Sequence, residues 1–166
     1  MRTLHRYCQF QHHTLQLFLG YFLPWDGLSN SLIAQTNGFK TYEKIVEGSM
    51  VNYENLDNYQ TGIHDYFKFL KFGFGRATDI ASLHIRRGRI SREDGLKVVK
   101  REEGKFPWIY LGKDLNSILK PLNMCLEEFV EICDNFTNKK IFKKDTSGNL
   151  IKDKYGNLTK INYDNL

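Results

Sequence analysis

The chain has 166 residues, 41% of them hydrophobic, and a net charge of +5. That length supports one domain with a sizeable core, and the charge favours anionic partners without choosing among phosphates, nucleotides, acidic sugars and nucleic acid. The three cysteines, Cys8, Cys125 and Cys133, are odd in number and none sits at C-x-x-C spacing, which argues against a disulfide framework and a cysteine zinc site. Cys125 and Cys133 fall in a helical pattern and read as small core residues of a cytoplasmic protein. No signal peptide is visible. The longest apolar stretch, Leu15 to Trp25, is broken by Gln16, Gly20 and Pro24 and is too short for a bilayer, so no membrane insertion is expected.

Residues 1–14 have no clean period and read as irregular; His12 and His13 are adjacent, but nothing else marks a metal site. Leu15 to Leu23 is a near-continuous apolar run ending at Pro24-Trp25-Asp26-Gly27, the pattern of a strand buried on both faces. A short helix follows from Ser29 to Thr36, closed by Asn37-Gly38. Lys40 to Tyr59 reads as a long loop, of a kind that either closes over a site or is plain surface. From Gly62, an apolar stripe of Ile63, Tyr66, Phe67, Leu70 and Phe74 predicts a helix that Gly73 and Gly75 stop. A second helix is expected from Thr78 or Asp79 to Arg87, and Ser91 with Asp94 caps a third that ends at Gly104. Pro107 to Leu119 predicts another helical stretch, and Leu126 to Phe136 a last strong one with Glu127 and Glu128 in its first turn. Two similar units around Gly148-Asn149 and Gly156-Asn157 suggest a small β-meander or a loose edge. The fold class is therefore an α/β remnant, with one or two buried strands and a flanking helix, then a mainly α-helical region and a short β-like tail. The boundaries are expected at residues 1–60, 61–140 and 141–166.

The densest candidate for chemistry is Lys71 to Asp79. Gly73 and Gly75 let backbone approach a ligand closely. The N-terminus of the following helix, near Thr78, is a ready anion site, Arg76 offers a two-pronged grip on phosphate or carboxylate, and Asp79 offers a cap or an acceptor for a sugar hydroxyl. The same residues also fit a plain glycine helix stop followed by a helix start. Arg86, Arg87 and Arg89 either face an anion or are solvated. At Pro24-Trp25-Asp26, Trp25 either stacks on a ring or fills core, and Asp26 either accepts from hydroxyls or is a turn residue. Neither a Ser-Gly-Gly-x-Asp-Ser loop, nor a G-x-x-x-x-G-K-[ST] loop, nor a G-x-S-x-G elbow occurs, and no catalytic residue is assigned.

Several blocks in one order resemble the C-terminal half of the N-acetyl sugar amidotransferase family. They are Phe18 to Asp26, Val46-Glu47-Gly48, Asn52 to Asp57, Gly62 to Tyr66, and above all Phe67 to Gly95, which holds Lys71-Phe72-Gly73-Phe74-Gly75-Arg76-Ala77-Thr78-Asp79. Gly104 to Pro107 and Glu127-Glu128-Phe129 continue the likeness, which spans roughly Leu15 to Lys144.

The resemblance implies an ATP pyrophosphatase-like enzyme. ATP, with Mg, activates the oxygen of a sugar N-acetyl group as an adenylate, and ammonia displaces AMP to leave an acetamidino group. It implies glutaminase and cyclase-like subunits that supply the ammonia, a nucleotide-linked or free acidic N-acetyl sugar as substrate, and products that enter bacterial lipopolysaccharide O-antigen or flagellar nonulosonic acids. The family's ATP loop and zinc cysteines lie upstream of the matching blocks, so this chain is expected to hold no ATP alone and to need the N-terminal half of the enzyme. Gly73, Gly75, Arg76, Thr78, Asp79, Arg86 and Asp26 are the expected phosphate or sugar contacts. Two rivals are an inactive remnant and a basic nucleic-acid-binding module, in which residues 78–87 and 91–103 form a helix-turn-helix. Glu93 and Asp94 at the start of its reading helix oppose specific nucleic-acid binding.

Overall fold

The computed structural model describes residues 16–161; the expectations for residues 1–14, including the His12–His13 pair, lie outside them. The chain divides into two compact units, one ending at Phe39 and the other beginning at Lys40. Among the described residues the fold is mainly helical with a small β part. The smaller unit holds a 3-10 turn, Leu19–Tyr21, and helix α1, Gly27–Thr36. The larger unit holds α2 (Thr61–Phe72), α3 (Arg76–Arg86), α4 (Arg92–Glu102), strands β1 (Ile109–Tyr110) and β2 (Lys113–Asp114), α5 (Leu115–Leu119), a 3-10 turn (Lys120–Leu122) and α6 (Leu126–Phe136).

The expected strand at Leu15–Leu23 is not formed. Its described residues make a 3-10 turn, and Leu17, Phe18, Leu19, Tyr21, Phe22 and Leu23 are all exposed. A central strand needs neighbours for its N–H and C=O groups; here Tyr21 and Phe22 bond back to Phe18 and Leu19, so the segment satisfies itself locally. Asp26 then starts α1 by accepting from the Ser29 N–H at 2.9 Å.

In the larger unit the 3.6-residue period is honoured. α2 buries Tyr66, Phe69 and Leu70, and α6 buries Phe129 and Cys133. These meet Phe106, Leu115, Leu119, Phe142 and Leu158 in one core, with the Tyr66 and Phe106 rings edge-to-face at 5.5 Å. Burial pushes the Cys133 thiol up to about 12, so it stays a thiol at neutral pH. Cys125, by contrast, is exposed and caps α6 with its sulfur.

The helix expected from Pro107 to Leu119 is shortened to α5. A hairpin takes its first half: Ile109 pairs with Asp114 and Tyr110 with Lys113. The two turn residues, Leu111 and Gly112, both have positive φ, 48° and 75°. That is the backbone hand of a tight hairpin turn, easy for glycine and costly for leucine. The Leu111 strain is offset by its N–H, which donates to Glu47 Oε2 at 3.0 Å.

The expected meander is present in the tail. Phe142 bridges Lys160, Lys144 bridges Leu150, and Lys152 bridges Leu158. Each repeat closes on an aspartate. Asp145 Oδ1 accepts from the Ser147 and Asn149 N–H groups, and Asp153 Oδ1 from those of Tyr155 and Asn157. The second turn grips the body of the unit: Asn157 Oδ1 accepts from the Phe106 N–H at 2.7 Å, and the Tyr155 carbonyl accepts from Trp108 Nε1 at 2.7 Å.

Two outcomes follow. A Cβ at Gly62 would meet the buried Tyr110 ring at 2.5 Å, so Gly62→Ala is expected to lower stability by about 1–3 kcal/mol, read from the midpoint of denaturant unfolding. The second concerns acid. The backbone N–H bonds from Asn149 and Asn157 hold the Asp145 and Asp153 carboxyls below the usual carboxylate range. A folded-state value below the unfolded one stabilises at higher pH and is lost as pH falls through it. Below about pH 4 the two turns should therefore loosen before the helices do, seen as early shifts of the Asn149 and Asn157 amide signals in an NMR titration.

Candidate functional site

The α2–α3 corner is built as a clasp. Gly73 ends α2 in the left-handed conformation and Gly75, extended, precedes α3. The helix begins at Arg76, two or three residues before the expected start at Thr78 or Asp79. Arg76 faces Asp65 of α2, with Nε to Oδ2 and Nη2 to Oδ1 each at 3.3 Å. Burial works against the guanidinium charge, but hydrogen bonding and attraction to Asp65 outweigh it and hold the Arg76 pKa above its ordinary value. Lys68 of α2 pairs with Asp79 of α3.

The Ala77 and Thr78 N–H groups at the start of α3 are occupied from outside the helix. Ala77 N–H donates to the Gly48 carbonyl at 3.1 Å, Thr78 N–H to Glu103 Oε2 at 3.0 Å, and Asp79 N–H to the Gly75 carbonyl at 3.4 Å. The protein thus supplies its own anion to the positive end of this helix. The Glu103 side chain is only 5% exposed. Its other oxygen, Oε1, accepts no hydrogen bond from any described residue; the Lys160 ammonium is 3.8 Å away, too far for one. Arg86, Arg87 and Arg89 are exposed at the other end of the helix. Trp25 is 70% exposed in the smaller unit, beside the capping Asp26.

A cleft of about 260 Å³ opens beside the clasp. Its walls come from three places. The 40–59 loop brings Ile45, Glu47 and Gly48; α2 brings Gly62, Asp65, Tyr66 and Phe69; and the segment after α4 brings Glu103 through Tyr110, Trp108 included. The loop is ordered by its own pairing, Tyr42 N–H to the Asn52 carbonyl at 2.8 Å and Val46 N–H to the Val51 carbonyl at 3.1 Å, and it buries Val46. Tyr110 OH donates to the Asn55 carbonyl at 3.2 Å, and burial, then the nearby Asp65 charge, push its hydroxyl up to about 12, so it stays protonated. A second cleft, about 410 Å³, lies on the far side of Glu103 between the end of α4 and the tail, lined by Lys100, Arg101, Lys105 and Lys160.

Of the residues singled out from sequence, Gly73, Gly75, Arg76, Thr78 and Asp79 come together at the clasp, and Gly75 also lines the first cleft. Arg86 lies ten residues along α3, at its far end. Asp26 belongs to the other unit. Sequence reading gave no role to Glu103, Trp108 or Tyr110. The available signal was Glu-Gly followed by an aromatic run directly after a helix, which marks a chain reversal lined with ring surfaces.

This unit is a mainly helical domain with a small cleft between its long loop, its α2–α3 corner and its hairpin segment. The chain belongs to the family described as LPS biosynthesis protein WbpG-like, C-terminal domain, whose model matches residues 38–156. The match starts where the larger unit starts, near Lys40, and it agrees with the resemblance to the C-terminal portion of a sugar-biosynthesis enzyme. No curated protein matches the chain. Among the described residues no helix is long and apolar enough to cross a membrane.

Removing Glu103 should expose the helix end it neutralises. Glu103→Ala is expected to lose about 1–2 kcal/mol of stability and to regain part of it in phosphate buffer. The melting midpoint of the variant should rise with added phosphate more than that of the wild type; equal rises would mean that Glu103 does not occupy an anion site.

Proposed function

We propose that this chain is the C-terminal part of an N-acetyl sugar amidotransferase in bacterial lipopolysaccharide or flagellar sugar biosynthesis. One observation carries the reading: the family model for LPS biosynthesis C-terminal domains covers the larger compact unit. The sequence blocks that resemble the amidotransferase family fall mainly in this unit and contribute Glu47, Gly62, Asp65, Gly75 and Gly104 to the cleft. The reaction converts an N-acetyl group to an acetamidino group, with ammonia from glutaminase and cyclase-like partner subunits.

The described residues do not fit an ATP phosphate site at α3. Two N–H groups of its first turn, those of Ala77 and Thr78, are taken by Gly48 and Glu103, and no phosphate loop occurs in the sequence. In this reading nucleotide binding belongs to the N-terminal half of the enzyme, a partner of this chain. The part left to this chain is to hold and orient the sugar. The smaller unit, with its exposed Leu17, Phe18, Leu19, Tyr21, Phe22 and Leu23, has the apolar surface that such a partner half would cover.

The test is genetic and chemical. Deleting the coding sequence from its cell of origin is expected to remove acetamidino groups from the surface polysaccharide or flagellin glycan and to leave the N-acetyl parent sugar, seen by mass spectrometry. Complementation should restore the nitrogen, labelled when the cells are fed amide-15N glutamine. A glycan unchanged by the deletion overturns the reading.

A further inference from the structure

The two clefts that flank Glu103 carry opposite charge. The first sets Glu47, Asp65, Glu102 and Glu103 against Lys105, and its acids are already engaged, Glu47 with the Leu111 N–H and Asp65 with Arg76. The second is lined by Lys100, Arg101, Lys105 and Lys160, with Glu103 the one carboxylate among its described lining residues. At about 410 Å³ it falls within the ~300–1,000 Å³ of small-molecule pockets. Its walls come from the end of α4, the Glu103–Lys105 reversal and residues 157–160 of the tail, so its cations converge from separate parts of the chain.

The cations of the second cleft are not used up. Lys160 Nζ stands 4.9 Å from the centre of the Phe69 ring and 3.8 Å from Glu103 Oε1, beyond hydrogen-bond range. Lys100 is exposed and forms no ion pair with any described residue. Arg101 and Lys105 both turn to a single carboxylate, Glu102, from side chains that are 61% and 58% exposed. Exposed pairs of this kind contribute little, so a bound anion can recruit their cations. The backbone adds donors, because the N–H groups of Gly104 and Lys105 donate to no described residue. Four cations thus stand against two carboxylates, Glu102 and Glu103, and the surplus suits an oxyanion.

We propose that the cleft between the end of α4 and the tail binds an oxyanion of the sugar substrate, the carboxylate of a free acidic sugar or the diphosphate of a nucleotide-linked one. Lys100 and Lys160 hold it, and Arg101 and Lys105 join them from Glu102. Naming the anion as part of a sugar rests on the amidotransferase reading; the preference of the cleft for an oxyanion does not.

The full chain is titrated by calorimetry at low salt with pyrophosphate, UDP-N-acetylglucosamine, glucuronate and N-acetylneuraminate, and with N-acetylglucosamine as the neutral control. Saturable binding of at least one anion is expected, weakening as salt is raised, and none of N-acetylglucosamine. A response to diphosphates alone points to a nucleotide-linked substrate and a response to carboxylates alone to a free acidic sugar; either upholds the cleft. Lys100→Gln and Lys160→Gln should each weaken binding about tenfold. Lys120→Gln, which removes an exposed charge outside both clefts, should leave it unchanged. The Gly104 and Lys105 amide signals should shift with the anion in NMR spectra of the unaltered chain, a readout that needs no variant. The proposal falls if no anion binds, if the neutral sugar binds as tightly, if those two amides stay unmoved, or if the cleft variants bind no more weakly than Lys120→Gln. These outcomes separate from those of the deletion strain. Anion binding in this cleft with an unaltered glycan keeps the site and removes the amidotransferase reading. A glycan that loses its acetamidino groups, with no anion bound here, does the reverse.

Discussion

Glu103 ties three parts of the larger unit through one side chain. It ends α4, accepts the Thr78 N–H that opens α3, and lies 3.8 Å from Lys160 in the tail. A helix start buried without acceptors is unfavourable, and here the acceptor comes from twenty-five residues downstream. α3 and α4 therefore cannot separate without uncovering both a helix end and a nearly buried carboxylate. The clasp to α2, Arg76 on Asp65 and Lys68 with Asp79, fixes the other side of the same corner. The cleft exists because this corner is held from both directions.

The same constraint decides what the corner does. A helix N-terminus is a generic anion site, but here a built-in carboxylate already sits at it, on the Thr78 N–H. The basic character of the chain, net +5, is then borne by surfaces such as the exposed Arg86–Arg89 stretch and the lysines beside the tail, while the cleft is acidic. Net charge describes how a protein behaves at a distance; it does not fix the sign of any one site.

Much of the helical part was legible because α2, α3, α4 and α6 follow a clear period and carry readable stops and caps. Ser91, expected as a cap from its spacing to Asp94, accepts the Asp94 N–H at 3.0 Å. Two segments were misread for the same physical reason: apolar content was taken as burial in a regular element. Leu15–Leu23 has the composition of a central strand, but composition does not supply strands on either side. Pro107–Leu119 has helical spacing, yet Gly112 and the positive φ of Leu111 turn it into a hairpin before α5 can begin. The site was half legible. Glycines and charges marked the α2–α3 corner, whereas Glu103 acts across the fold, and nothing in its local sequence states which helix end it reaches.

The tail carries a consequence for the order in which the molecule is completed. Its second turn, not its first, holds the cleft wall, through Asn157 on Phe106 and Tyr155 on Trp108, across fifty-one and forty-seven residues. On a ribosome the helices through Phe136 emerge while this brace, and the core residues Phe142 and Leu158, are still to come. The Trp108 indole gains its bond to the Tyr155 carbonyl only when nearly all of the described chain is out. A chain halted between Phe136 and Tyr155 would lack Leu158 of the core as well as both of these braces on the Phe106–Trp108 segment.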